Sequence, residues 1–251
     1  MTETPGQPTR RQLSDWARLT LKKYRREFGE FLIEGDVCVR EALRARLHFE
    51  AVLVLSGEAD KWLEEFGSCP RFPVYTVNSE TFARLSTVES SQGIVAVARV
   101  FQLPPRAGKL TIACEKVSDP GNCGALIRVA DFFGAIELLL GPESAEVWNP
   151  KVVRGSMGSL FHQPVQADVD LADFLFNWPG SSVATVAHHG QSLQGKLNLK
   201  PPIVLVLGHE TRGLSDEIAA LCTHHLTLKP QGTAESLNLV TAAAVFAYAL
   251  S

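Results

Sequence analysis

LTIACEKVSDPGNCGALIRVADFFGAIELLL, residues 110–140, decides how this chain is read. The apolar, β-branched run 110–117 predicts a strand. A Gly-containing turn follows, from Asp119 through Pro120, Gly121, Asn122 and Cys123 to Gly124, and 125–133 has helical spacing. After Gly134 the run 136–140 predicts a second strand.

The pattern continues to the C-terminus. Strands are predicted at 183–187, 203–207 and 226–228, with helices at 149–158, 215–221 and 236–250, the last with Ser236 as a candidate N-cap. Alternation of this kind predicts an α/β domain with a mostly parallel sheet and helices on both faces. Ligands bind such sheets beyond the carboxyl ends of the strands. Three polar, Gly-bearing segments follow strands and are expected to meet there: 119–130, 207–215 and 232–239.

Upstream, Gln102-Leu103-Pro104-Pro105-Arg106-Ala107-Gly108-Lys109 breaks any regular element. It divides the chain into a loose tail at 1–9, a smaller α/β domain at 10–101, a linker at 102–109 and a C-terminal domain at 110–251. Within the smaller domain, helices are predicted at 10–28, 34–47, 60–66 and from Asn78 or Ser79 to Leu85, and strands at 31–33, 51–55, 74–77 and 93–101. Helix 60–66 is expected to end near Gly67.

Composition excludes several classes. The chain has 251 residues, 45% hydrophobic and 20% charged, which suits a globular fold. No apolar run approaches the roughly 18 residues of a membrane span, and the polar N-terminus lacks a secretory h-region. The five cysteines, at 38, 69, 114, 123 and 222, form no CxxC and no zinc spacing, so reduced thiols in the cytoplasm are expected. No Walker loop, GxSxG elbow, HExxH or GxGxxG occurs. His188-His189 and His224-His225 are adjacent pairs, a poor arrangement for one metal. The net charge of −3 hides a basic stretch: Arg10, Arg11, Arg18, Lys22, Lys23, Arg25 and Arg26 face only Asp15 across residues 10–26. Such a stretch suits either a phosphate backbone or a solvated helix face.

Taken together, the three segments resemble the motifs of the SpoU (TrmH-like) RNA methyltransferases of the SPOUT superfamily. Asn122-x-Gly124-x3-Arg128, preceded by Asp119-Pro120, is similar to the first motif. Gly208-x-Glu210-x-x-Gly213-Leu214 is similar to the second, and Gly232-x3-Ser236-Leu237-Asn238 to the third. Residues 151–161 resemble the family's linking element, and 22–55, with Phe31-Leu32-Ile33-Glu34-Gly35, its small substrate-binding domain. One departure stands before the third motif. The family has Ile-Pro-Met there, and this chain has Leu228-Lys229-Pro230-Gln231.

The resemblance implies a deep trefoil knot in the C-terminal domain, an L30e-like N-terminal domain and a homodimer formed through the knotted domain. It implies S-adenosylmethionine as cofactor, held near Thr185, Leu207, Gly208, Gly213, Leu228 and Leu237. It implies transfer of a methyl group to a ribose 2'-oxygen in rRNA or tRNA, with no metal and no membrane. Asn122, Arg128, Glu210, Ser236 and Asn238 become the catalytic candidates, and Arg18, Lys22, Lys23, Arg25 and Arg26 the RNA contacts. The family reading makes Arg128 the base; a guanidinium is more easily a phosphate clamp. The alternatives are a non-catalytic RNA-binding relative or a base-directed methyltransferase of the same fold.

Overall fold

The computed structural model describes residues 7–66, 71–88, 90–193, 197–234 and 236–251. The chain opens with α1 (Arg10–Ala17), α2 (Lys22–Phe28), β1 (Glu30–Glu34), α3 (Asp36–Arg44) and β2 (Phe49–Leu55). It continues through α4 (Ala59–Phe66), β3 (Val74–Val77), α5 (Ser79–Ala83) and β4 (Ile94–Arg99). Next come β5 (Leu110–Cys114), α6 (Pro120–Phe132), β6 (Leu138–Leu140), α7 (Pro150–Gly155), β7 (Val165–Gln166) and α8 (Leu171–Phe176). It closes with β8 (Ser181–Thr185), β9 (Gln191–Ser192), β10 (Ile203–Leu207), α9 (Asp216–Ala220), β11 (His224–Thr227) and α10 (Leu239–Leu250).

Two compact units result. The first holds the residues up to Phe101 together with Trp148–Phe161. Its sheet has the order β1-β4-β2-β3, antiparallel except for the β2–β3 pair. Trp16, Leu19, Leu32, Leu53, Phe82 and Val95 pack as its core. Trp148–Phe161, expected with 110–251, groups here with the first unit. The Trp148 ring packs at a tilt against Phe31 with centroids 4.5 Å apart, and Arg154 lies 3.6 Å from the buried Glu34 carboxylate and donates to Thr87 Oγ1 at 3.1 Å. Burying Glu34 requires such a partner.

The helix expected over 10–28 is two helices. A 3-10 turn at Arg18–Thr20 and an extended Leu21 separate α1 from α2. The buried Arg25 guanidinium donates to the Leu19 carbonyl at 2.8 Å, holding the break. Of the tail expected at 1–9, Thr9 forms a capping box with Gln12 at the start of α1. Its residues 1–6 lie outside the described residues, as does Gly67, where the 60–66 helix was expected to end.

The second unit, Gln102–Val147 with His162–Ser251, is built on a parallel seven-stranded sheet of order β7-β6-β5-β10-β8-β11-β9. The central strands β5 and β10 are buried at every residue, as a sheet covered on both faces requires. Two helix starts differ from expectation by more than one residue. α6 begins at Pro120, five residues early, because Asp119 caps it and proline suits its first turn. α10 begins at Leu239, and Asn238 rather than Ser236 is its N-cap, accepting from Val240 N at 2.8 Å. The short helix α8, started by Asp170, had no strong periodic signal.

Candidate cofactor and ribose site

Because β5, β8, β10 and β11 run parallel, the loops that follow them share the carboxyl edge of the sheet. There a cavity of about 500 Å³ opens, walled by the loops after β8, β10 and β11 and by the first turns of α10. Thr185, Leu207, Gly208, Gly213, Leu228 and Leu237 all line it. Lys229 does too, so the departure from the family pattern places an ammonium-bearing side chain on the wall.

Two glycines shape this wall. Gly208 has no room for a side chain, since a Cβ there would lie 2.0 Å from Leu214 N. Gly213 has φ +72°, a conformation that disfavours side chains. The exchange of hydrogen bonds between His209 and Gly213, at 2.8 and 3.0 Å, closes the loop on itself.

Of the catalytic candidates, Glu210 and Ser236 line the cavity. Glu210 accepts from Ser118 N at 3.3 Å, Asp119 N at 3.2 Å and Asn122 Nδ2 at 3.2 Å. Asn238 Nδ2 donates to Asn122 Oδ1 at 3.3 Å while its own Oδ1 caps α10. A continuous polar chain therefore runs from Glu210 through Asn122 to Asn238 and joins three segments far apart in sequence.

Arg128 is not part of that chain. It is exposed and absent from the cavity wall, because six residues separate it from Asn122 on α6 and turn it about 120° away. It was expected to face the site beside Asn122 and Asn238, and those two side chains bond each other without it. The amides of the turn 121–124 are partly taken within the chain. Asp119 takes Asn122 N with its carboxylate at 2.8 Å and Cys123 N with its carbonyl at 3.0 Å.

The expected RNA contacts divide by exposure. Lys22, Lys23 and Arg26 are exposed on α2. Arg18 pairs with Asp15 at 3.6 Å and lies over the Tyr24 ring at 5.3 Å, with the Lys23 ammonium 5.5 Å from the same ring. Arg25, at 2% exposure, is a structural residue and is removed from the RNA set.

Sequence reasoning missed His209, Thr211, Arg212, Ala242 and Phe246, all of which line the cavity. Leu239, Ala242 and Phe246 follow helical spacing, so one face of the last helix carried that signal. Among the described residues no group of three or more His, Cys, Asp or Glu could hold a metal ion. No helix there is long and apolar enough to cross a membrane.

A parallel α/β unit whose strand ends build such a cavity defines the class, and the comparisons sharpen it. The SpoU rRNA Methylase family matches residues 109–248, and an MRM3-like substrate binding domain matches 11–96. The chain belongs to the SpoU rRNA methylase family. It is 29% identical over 243 residues to the 23S rRNA (guanosine(2553)-2'-O)-methyltransferase RlmP of Bacillus subtilis, covering 95% of each chain. It is 30% identical over 250 residues to the 23S rRNA (uridine(2479)-2'-O)-methyltransferase of Streptomyces viridochromogenes, covering 92% of this chain and 86% of that one. Among solved structures, the SpoU methyltransferase AviRb of Streptomyces viridochromogenes in complex with AdoMet superposes with a TM-score of 0.82 at 27% identity, covering 97% of each chain. An AdoMet-bound rRNA methyltransferase from Sinorhizobium meliloti gives 0.80 at 26% identity, covering 95% of this chain and 93% of that one.

Proposed function

We propose that this protein transfers a methyl group from S-adenosylmethionine to a ribose 2'-oxygen in rRNA or tRNA. The observation that carries this reading is the Glu210–Asn122–Asn238 chain, which reaches from the cavity wall into the first turn of α6. The cavity fits the cofactor. Its mostly apolar wall, with Leu207, Leu237 and Phe246, suits an adenine ring, and the bare backbone at Gly208 admits a close-fitting ligand. When bound, the cofactor supplies an activated methyl on a sulfonium.

The protein's task is then positioning. Glu210 fixes Asn122 and the first turn of α6, and the Asn122–Asn238 pair offers amide donors and acceptors to a ribose hydroxyl. Exposure of Ser236 at the cavity supports a contact with the RNA. Exposure of Arg128 favours a clamp on an RNA phosphate over a base, since guanidinium does not readily give up its proton. Lys22, Lys23, Arg18 and Arg26 of the first unit supply further phosphate contacts.

Further features belong to the same proposal. A knot is supported by β10 lying between β5 and β8 while β11 lies beyond β8, with α10 returning to pack on α6. The four-stranded mixed sheet and the substrate-binding match support an L30e-like first unit. Exposed Phe132, Val245 and Tyr248 on α6 and α10 support a homodimer through the second unit. The four cysteines among the described residues are free and buried, which suits a reducing cytoplasm.

The test is incubation with labelled S-adenosylmethionine and total RNA from cells lacking the protein, followed by nucleoside analysis. A labelled 2'-O-methylnucleoside is expected. Label on a base instead overturns the ribose assignment, and no label at all favours the non-catalytic alternative.

A further inference from the structure

His209 stands between Gly208 and Glu210 on the cavity wall, with its side chain 21% exposed. Its two ring nitrogens face different loops. Nδ1 lies 3.1 Å from Thr211 N and 3.2 Å from Thr211 Oγ1. A backbone N–H can only donate, so Nδ1 is an acceptor and the proton of the neutral ring sits on Nε2. Nε2 lies 3.4 Å from Ser118 Oγ and 3.8 Å from Glu210 Oε2. That carboxylate is the one holding Ser118 N, Asp119 N and Asn122.

We infer that His209 is a positioning residue with two separable duties. Nδ1 shapes the Thr211 turn, which lines the cofactor cavity. Nε2–H steadies the Ser118–Glu210 junction that carries Asn122 toward the ribose. The ring is not the base for the 2'-hydroxyl: its Nε2 already bears the proton, and its Nδ1 is committed to Thr211 N–H. The inference rests on the methyl-transfer reading of this site.

Two isosteres separate the duties. In His209→Asn, Oδ1 falls near the place of Nδ1 and keeps a partner for Thr211 N–H, while nothing reaches Ser118. In His209→Gln, the amide nitrogen falls near the place of Nε2, while Thr211 N–H loses its acceptor.

Binding of S-adenosylhomocysteine, by calorimetry, and methyl transfer to the total RNA described above, at saturating cofactor, read them independently. His209→Asn is expected to bind S-adenosylhomocysteine within about threefold of wild type and to transfer about tenfold more slowly. His209→Gln is expected to bind about tenfold more weakly and, at saturation, to transfer within about threefold of wild type. Parallel losses in both variants, or no change in either, overturn the assignment alone. A wild-type chain that binds no S-adenosylhomocysteine overturns the cofactor reading and this assignment with it.

Discussion

The first turn of α6 and the break between α1 and α2 each hold a charged side chain against the backbone, over very different chain distances. At α6 the charge is Glu210, and the N–H groups it accepts, on Ser118 and Asp119, lie 92 and 91 residues away in sequence. At the break the charge is Arg25, and the carbonyl it binds, on Leu19, lies six residues away. The long-range contact joins the cavity wall to the start of α6, so removing it is expected to cost function as well as stability. The local contact only fixes how two helices follow one another. A basic residue in an RNA-binding protein is thus as readily part of the scaffold as of the binding surface.

The largest expected effect breaks the long-range side of this comparison. Glu210→Ala leaves two backbone N–H groups and the Asn122 amide without their acceptor. Urea melts should show a loss of about 2 to 3 kcal/mol, and methyl transfer should fall about a hundredfold because Asn122 is no longer fixed. A stable variant with unchanged turnover would remove Glu210 from the site.

The next effect tests the local side against its neighbours. Arg25→Ala should cost about 2 kcal/mol of stability and leave the RNA affinity of the folded protein unchanged. Lys22→Ala with Lys23→Ala should do the reverse. Stability should hold, and the slope of log affinity against log salt should flatten by about 0.7 to 0.9 per lysine. Equal slopes in the lysine variant and wild type would withdraw α2 from RNA binding.

The two regions also differ in how far they can be read from sequence. The glycines and strand ends that wall the cavity were legible because a parallel α/β sheet sends the loops after its strands to one edge, and Gly208 stands where only a bare backbone fits. The basic stretch was not legible in the same way. Its composition gives charge and says nothing of direction, and Arg25 turns inward where its neighbours turn out. Helix starts were ambiguous for a related reason. Gly121 and Gly124 read as turn residues, although Asp119 followed by Pro120 carried the capping signal. Ser236 and Asn238 are both good caps, and the bond to Val240 N chooses the second. Trp148–Phe161 joins the first unit through Phe31 and Glu34, partners more than a hundred residues upstream that local patterning does not reveal.

The smallest effect sharpens the comparison at the thiols. Burial pushes Cys123, on α6, up to about 12 and Cys38, on α3, up to about 11, from an ordinary value of 9.0. Both folded states hold their proton after the unfolded chain has begun to release it. Stability is therefore unaffected below pH 9.0 and is lost as pH rises, toward about 12 for Cys123 and about 11 for Cys38. Each thiol contributes a slope of about 1.4 kcal/mol per pH unit within its window. Lysines and tyrosines titrate in the same range, so the informative quantity is a difference. Urea melts repeated from pH 9.0 upward should give a shallower loss for Cys123→Ala than for wild type, by about one proton, whatever the packing cost of the substitution. Parallel curves for the two proteins would mean that the α6 thiol is reached by water, and that the first turn held by Glu210 opens more readily than its hydrogen bonds imply.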